Sequence, residues 1–162
     1  MGGSYFTHSG AAGNTLCLTK TPEFDAVPKP ESFAIIYGAE YRIDEGSHEN
    51  FDVPCSVCEV PQSTTIMVPA TLTCPSGWTP QYTGHLTAGH FTHTATSEYL
   101  CLDGSPDDIG LKSRLNGRLF YYTVTGCGSL PCPPFAKDKV VTCVVCSKKQ
   151  AQLEPFSPVD EL

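Results

Sequence analysis

The chain has 162 residues, among them nine cysteines, 14 glycines and 14 prolines, and its net charge is −7. Binding to nucleic acid or to an anionic membrane requires a positive surface, so this acidic balance argues against both partners. No run of about 18 apolar residues is present, so we expect no membrane insertion. The cysteine content predicts a secreted, extracellular protein whose loop-rich fold is held by disulfides.

Short runs of alternating apolar residues predict strands along the chain. In chain order they lie at 33–37, 65–68, 119–124 and 140–145. The runs are rich in β-branched and aromatic residues and are bounded by Gly, Pro and Ser, as is typical of strands. No segment has a capped apolar pattern of helical period. We therefore predict an all-β fold that is disulfide-rich and resembles a sandwich or barrel.

Two parts of the chain have nearly the same sequence. The tripeptide Phe-Thr-His at 6–8 recurs at 91–93, an offset of 85 residues, and Leu-Cys-Leu at 16–18 recurs at 100–102, an offset of 84. Each part ends in a C-x-x-C motif among β-branched residues. A repeat of this length predicts two tandem related half-domains with pseudo-twofold symmetry. We place them at 1–60 and 61–149, followed by a flexible tail at 150–162 that lacks cysteine and strand pattern.

The two C-x-x-C motifs, at Cys55 and Cys58 and at Cys143 and Cys146, allow three interpretations. A redox dithiol requires its first cysteine at a helix N-terminus, whereas both motifs lie in β-rich sequence. A four-thiolate zinc site usually has its two pairs much closer together than these. Because residues i and i+3 of a strand point to opposite faces, each cysteine of a motif should bond to a different partner. We therefore favour structural disulfides.

The duplication predicts which cysteines pair, since equivalent cysteines should make equivalent bonds. The expected pairs are Cys17 with Cys55, Cys101 with Cys143, Cys74 with Cys146, and Cys127 with its close neighbour Cys132. Cys58 is left over, because the counterpart of Cys74 would precede residue 1. The leftover thiol is either free or joins two chains, so a homodimer is a possible assembly.

Several motifs together resemble a family of secreted marine-invertebrate proteins. The motifs are GGSYFTHSGAAGNTLCL, IYGAEY, DVPCSVC, MVPATLTCPSGWTPQYTGHLTAGHFTH, EYLCLD, NGRLFYYTV, LPCPPF and TCVVCSK, which span residues 2–149. The family is called short-chain-collagen-like, after sponge collagens that carry a similar non-collagenous module. This chain has no Gly-X-Y tract and lacks the T-x-C-P element with which members usually begin. Similar crinoid proteins are lectins that bind N-acetyllactosamine, so the resemblance implies binding of galactose-type glycans.

A lectin needs aromatic faces for the apolar side of a sugar ring and fixed polar groups for its hydroxyls. His90 and Glu98 are favoured because the first part has Tyr5 and Asn14 at these positions. Phe6, Phe91, Tyr37 and Tyr121 are instead expected in the core, since strand aromatics mostly pack inward. The full set of expected carbohydrate-binding residues is His90, Glu98, Trp78, His85, His93, His8, Glu40, Tyr41 and His48.

Other kinds of site have weaker support. His90 and His93 lack the spacing and the glutamate of a zinc protease motif, and no EF-hand pattern surrounds Asp103, Asp107 and Asp108. No G-x-S-x-G motif or recognisable carboxylate pair is present. We therefore predict a non-catalytic protein without cofactor or metal, whose partners are glycans on cell surfaces or glycoproteins. The alternatives are a matrix module that assembles through disulfides and β-surfaces, and an enzyme of unrecognised type.

Overall fold

The computed structural model describes residues 1–10, 12–43, 48–61 and 64–148, and these residues form seven strands and no helix. The all-β prediction is confirmed. No helix among them is long and apolar enough to cross a membrane. The strands are β1 (Gly2–Gly3), β2 (Tyr37–Tyr41), β3 (Thr64–Pro69), β4 (Thr79–Ala88), β5 (Leu100–Asp103), β6 (Arg118–Tyr122) and β7 (Thr142–Lys148).

The strands form one curled, half-barrel sheet in the order β1-β2-β6-β4-β7-β3, with β5 paired to β4. β2 and β6 are parallel, and the other pairs are antiparallel. β4 organises the sheet because its first part pairs with β7 and its last residues pair with β5 and β6. A register irregularity between Pro80 and Tyr82 interrupts β4, consistent with a proline that cannot donate to the ladder.

The hydrophobic core is small for a chain of this length. One buried cluster joins Ala39, Tyr41 and Val53 from the first part of the chain with Phe120 from the second, and the other buried apolar side chains are Leu86, Leu119, Cys143, Val144 and Cys146. Both parts of the chain therefore contribute residues to this cluster. Disulfides supplement a core of this size, because they restrict the unfolded chain.

Four disulfides close, and they are the pairs expected from the duplication. On β7, Cys143 and Cys146 are both buried and bond to different partners, Cys101 and Cys74. Cys58 is the free cysteine and is exposed. The opposite orientation of residues i and i+3 in a strand thus accounts for the second C-x-x-C motif.

The duplication extends to strand pairing. We refer to residues 1–60 as the first segment and 61–148 as the second. Three pairings of the first segment recur in the second at offsets of 84 to 88. The pair Gly2–Leu16 corresponds to Thr87–Leu100, the pair Gly2–Gly38 to Thr87–Tyr122, and the pair Glu40–Asp52 to Val124–Val140. The strands of both segments lie in the same sheet, joined by the parallel β2–β6 pair. A pseudo-twofold relation between two half-domains is not shown, and the predicted tail at 150–162 lies outside the described residues.

Candidate functional site

A cleft of about 330 Å³ opens where β4 and β6 end, and we call it the His90 cleft. Its walls combine one phenylalanine ring, three tyrosine rings, one imidazole and the hydroxyls of a serine and a threonine. The lining residues are Ala88, Gly89, His90, Phe91, Ser97, Tyr99, Tyr121, Tyr122, Thr123 and Val124. An aromatic concave surface with a few polar groups is the usual composition of a small-molecule site.

The loop that follows β4 gives the cleft its shape. The Gly89 amide donates to the Ser97 hydroxyl at 2.8 Å, and the His93 amide donates to the His90 carbonyl at 2.9 Å. The Thr92 hydroxyl lies 2.8 Å from Nδ1 of His90. Nε2 of His90 has no hydrogen-bond partner among the described residues. The imidazole is therefore held in place while one ring nitrogen stays available to a ligand.

Two aromatic side chains at the edge of the cleft are largely exposed. Phe91 is 91% exposed and Tyr99 is 59% exposed. The prediction that Phe91 is a core residue is wrong, because its side chain lies in the loop after β4 and has little covering it in the described structure. The hydroxyls of Tyr99 and Tyr121 have no partner within the described part of the chain. The cleft thus offers ring faces and polar groups together.

His93 lies behind the cleft and contacts the first segment. Its ring centroid is 4.6 Å from that of Phe6 and 5.6 Å from that of Tyr121. Nδ1 of His93 is buried without a hydrogen-bond partner. Burial, and secondarily the nearby His90, lowers the pKa of His93 below 6.5. His93 is therefore neutral at neutral pH and serves as a packing surface.

Glu98 holds the two segments together. Its carboxylate accepts a hydrogen bond from the Thr15 amide, and its own amide donates to the Gly13 carbonyl at 2.9 Å. Both partners belong to the first segment. The side chain expected to contact carbohydrate is thus directed away from the cleft, although residues 97 and 99 on either side of it line the cleft.

The first segment carries an equivalent set of rings. The centroids of Tyr5, His8 and Tyr37 are 5.0 to 5.5 Å apart, and those of His90, His93 and Tyr121 are 5.1 to 5.6 Å apart. The surroundings differ, because residues 117 and 118 of the second segment lie against Gly3, Tyr37 and Gly38. A Cβ on Gly3 would lie 3.1 Å from Cβ of Arg118. The equivalent space in the first segment is therefore filled.

Trp78 and His85 lie outside the lining of the cleft. His85, on β4, packs on Tyr122 with centroids 4.9 Å apart, so it supports the cleft from behind. Trp78 precedes β4 and lies 5.8 Å from the Lys148 ammonium. Because β4 has ten residues, Trp78 is roughly 30 Å along the strand from Ala88. The structure does not bring Trp78 together with His90.

Glu40 is 1% exposed and has structural partners. Its Oε1 accepts from the Ser113 hydroxyl at 2.8 Å and the Asn116 amide at 2.9 Å, and its Oε2 lies 3.3 Å from the Arg42 guanidinium. A side chain buried in this way does not contact a surface ligand. The structure thus gives Glu40 a structural position in place of the expected binding role.

Tyr41 is likewise part of the core. Its hydroxyl donates to the Asp107 carbonyl at 2.7 Å. Burial, followed by nearby carboxylates of which Asp107 is the strongest, raises the pKa of Tyr41 to about 12. The His48 ring lies edge-on to Tyr41 with centroids 5.9 Å apart. The ring of Tyr41 therefore packs and does not serve as a platform for sugar.

The acidic loop has local structural partners. The carboxylate of Asp103 accepts from the Ser105 amide at 2.8 Å, and that of Asp108 accepts from the Gly110 amide at 2.7 Å. These are turn-forming contacts. No group of three or more His, Cys, Asp or Glu side chains that could hold a metal ion occurs in the ranges the structure describes.

Comparisons with known proteins do not identify the chain: no family model, no curated protein and no solved structure matches it. The residues of the His90 cleft are therefore the basis for a functional inference. Sequence patterns indicated His90 but missed Tyr99 and Tyr121. Tyr99, like His90, differs from its counterpart in the first segment, because the counterpart of Tyr99 is Thr15, which is not aromatic. This difference between the segments could have indicated Tyr99 from the sequence.

Proposed function

We propose that the protein is a secreted, non-catalytic lectin that binds terminal galactose or N-acetyllactosamine-type glycans in the His90 cleft. The observation that carries the proposal is the exposed ring of Tyr99 beside the imidazole of His90 in a cleft of about 330 Å³. A galactose ring has one apolar face, which an aromatic ring can cover. The resemblance of the sequence to crinoid lectins supports the same substrate class.

The polar groups of the cleft explain how an epimer would be selected. Nε2 of His90 and the hydroxyls of Tyr99 and Tyr121 can pair with sugar hydroxyls. A sugar of the wrong configuration leaves one of these pairs unmade, and a buried unpaired polar group costs about 1–3 kcal/mol. A difference of that size changes the affinity for the two epimers by about 5- to 150-fold.

The number of sites determines whether the protein agglutinates cells. The space equivalent to the His90 cleft is filled in the first segment, so the described residues provide one such cleft per chain. Single sugar sites are weak, and useful avidity requires at least two linked sites. Agglutination by this protein would therefore require chains linked in a way that leaves the His90 cleft of each chain open.

Calorimetric titration with lactose, after a glycan array, tests the proposal. Tyr99→Ala and His90→Ala should each weaken binding about tenfold, the loss typical of one ring contact or hydrogen bond. Phe24→Ala, at an 89% exposed aromatic outside the cleft, is the matched control and should bind normally. Absence of glycan binding by the native protein would reject the lectin function. Normal binding by both cleft variants would reject this site.

We also retain the finer organisation as a proposal: two related half-domains with pseudo-twofold symmetry in an extracellular protein. The recurrence of strand pairing between the segments supports the first statement, and four disulfides support the second. An experimental structure with the two segments superposed tests the symmetry. Immunodetection of the mature protein in culture medium tests the location.

A matrix module is the second candidate, and one observation favours it. Cys58 is free and exposed beside Val57, an exposed apolar residue. A thiol in this position can join two chains. Non-reducing electrophoresis should then show covalent dimers that Cys58→Ser abolishes. A monomeric band under oxidising conditions would reject cross-linking through Cys58.

A further inference from the structure

Phe6 and Phe91 are equivalent in sequence but differ in environment. Phe6 is half-buried, and its ring lies 4.6 Å from that of His93 in the second segment. Phe91 has the same Phe-Thr-His context and is 91% exposed. The first segment therefore inserts its phenylalanine into the second, whereas the phenylalanine of the second segment has no equivalent acceptor among the described residues.

Backbone hydrogen bonds fix the insertion of Phe6. Its amide donates to the Gly117 carbonyl at 3.0 Å, and its carbonyl accepts from the Ala95 amide at 3.2 Å. The hydroxyl of Thr94 donates to the Thr7 carbonyl at 2.6 Å. The contact thus has a defined donor and acceptor pattern, which any repeat of it would have to reproduce.

The surface that receives Phe6 has a counterpart in the first segment. Phe6 fills the receiving surface almost completely, and a cavity of about 10 Å³ remains. The counterpart in the first segment is an open cavity of about 490 Å³. Besides Ser4, six residues of the second segment surround Phe6, namely Gly89, His93, Ala95, Ser97, Arg118 and Leu119. Their equivalents all line the open cavity, namely Ser4, His8, Gly10, Ala12, Ala34 and Ile35.

The polar groups needed for a repeated contact are present and unengaged. Ser9 is the equivalent of Thr94 and retains a hydroxyl, and Gly10 is the equivalent of Ala95 and retains its amide. The carbonyl of Thr92 is the equivalent of that of Thr7. None of these three groups has a hydrogen-bond partner in the described structure. They correspond to the two donors, the Thr94 hydroxyl and the Ala95 amide, and to the acceptor, the Thr7 carbonyl, that hold Phe6 and its neighbour in place.

The strand edges show the same difference between the two segments. In the chain, the first three residues of β6 pair in parallel with β2. Their equivalents at 34–36 lie outside any strand. Ile35 and Ile36 are about half exposed, as is Val124, which the equivalence places opposite Ile35. Three apolar side chains are thus exposed where a parallel pair between two chains would cover them.

We propose that a second copy of the chain docks here, with Phe91 of one copy inserted into the cavity formed by Ser4, His8, Gly10, Ala12, Ala34 and Ile35 of the next. The contact repeats between chains the one that joins the two segments within a chain. It is heterologous, because one copy supplies the phenylalanine and the other the cavity. In a dimer of this kind one copy still has a free Phe91 and the other still has a free cavity. Association therefore continues beyond a dimer or closes as a ring.

The two contacts differ at two positions. Arg118 is replaced by Ala34, which leaves the cavity wider, and Gly117 is replaced by Phe33. A Cβ on Gly117 would lie 2.2 Å from the Gly38 carbonyl oxygen and 3.3 Å from the Tyr37 side chain. The equivalents of these two residues, Tyr122 and Tyr121, line the His90 cleft, so Cβ of Phe33 would meet the Tyr122 carbonyl unless the docked copy moves. The docked copy therefore shifts locally and places Phe33 toward that cleft.

Sedimentation of two variants and their mixture tests the proposal. Phe91→Asp removes the inserted ring from an exposed position, and Gly10→Arg fills the cavity, where a Cβ at residue 10 would meet nothing within 4 Å. Both variants should therefore fold. Wild-type protein should form species larger than a dimer as its concentration rises. Each variant alone should associate about 30-fold more weakly, the loss typical of a central aromatic anchor.

The mixture discriminates between kinds of interface. Phe91→Asp keeps the cavity and Gly10→Arg keeps the phenylalanine, so an equimolar mixture should form a 1:1 complex that does not grow. Phe24→Asp, at another highly exposed phenylalanine, should associate like the wild type. A monomeric wild type, association that survives Phe91→Asp, or a mixture that fails to pair would each overturn the proposal. Lactose binding is measured separately on Gly10→Arg, so the lectin function and the association can fail independently.

Discussion

Replacement of Glu40 tests whether this residue holds the fold or contacts a ligand. Alanine at this position removes the acceptor for the Asn116 amide and the Ser113 hydroxyl and the carboxylate beside Arg42. The guanidinium of Arg42 keeps two other acceptors, Asn50 and Asn116. The partly buried amide of Asn116 has no other acceptor among the described residues.

The magnitude follows from these partners. Removing one member of a buried charge pair destabilises a protein by about 3–5 kcal/mol, and we expect Glu40→Ala to fall in this range. Glu40→Gln keeps one acceptor oxygen but turns an amide group toward either Arg42 or the other donors. We expect it to lose about 1–3 kcal/mol. Small domains have about 5–15 kcal/mol of stability, so the alanine variant should unfold at clearly lower denaturant concentration.

Urea unfolding followed by circular dichroism measures both variants. The matched control is Val124→Ala, because Val124 is the equivalent of Glu40 in the second segment and is exposed. A surface substitution of this kind changes stability by about 0.5 kcal/mol or less. A Glu40→Ala protein with wild-type stability and no glycan binding would refute the structural role and restore the ligand-binding one.

Three further predictions concern packing, pH and disulfides. Gly84→Ala should destabilise by about 3 kcal/mol or more, because its Cβ would lie 1.7 Å from the Leu102 carbonyl oxygen, whereas Gly38→Ala, also on a strand but with no atom within 4 Å, should be tolerated in the same melting assay. Since burial lowers the pKa of His93, the unfolded chain binds the proton more readily, so stability should fall as pH drops through about 6.5, and His93→Gln should lose less stability on acidification than wild type or His8→Gln. Replacing both Cys74 and Cys146 by alanine should cost about 4 kcal/mol and replacing Cys127 and Cys132 about 2 kcal/mol, because the bridges span 72 and 5 residues; equal midpoints in guanidinium would contradict this loop-length argument.

The strands were predictable where apolar alternation was uninterrupted. The runs at 65–68 and 140–145 overlap β3 and β7, and the run at 119–124 overlaps β6. The run at 33–37 overlaps β2 only at its last residue, because 34–36 has no partner strand among the described residues. The long β4 gives no clear pattern, since Pro80 and Gly84 interrupt it. The local sequence pattern therefore predicts which segments can form a strand, and the presence of a partner strand decides whether the strand forms.

The candidate site was predictable only in part. His90 differs between otherwise matched segments, and this asymmetry indicated it. Phe6 and Phe91 have the same local sequence, so only the packing of one segment on the other distinguishes the half-buried ring from the exposed one. Glu40 looked like a polar residue among aromatics, yet it is buried with two partners distant in sequence, Ser113 and Asn116. Contacts of that range carry no signal in one sequence.

The distribution of disulfides has a consequence for how the two segments are connected. Cys17–Cys55 lies within the first segment and the other three bridges lie within the second, so no bridge crosses between them. The contacts of Phe6 and β2 with the second segment, and those of Glu98 with the first segment, are all non-covalent. The first segment of one molecule can therefore take its place on the second segment of another without breaking any sulfur bond. The fold is thus open to fragment complementation and to three-dimensional domain swapping.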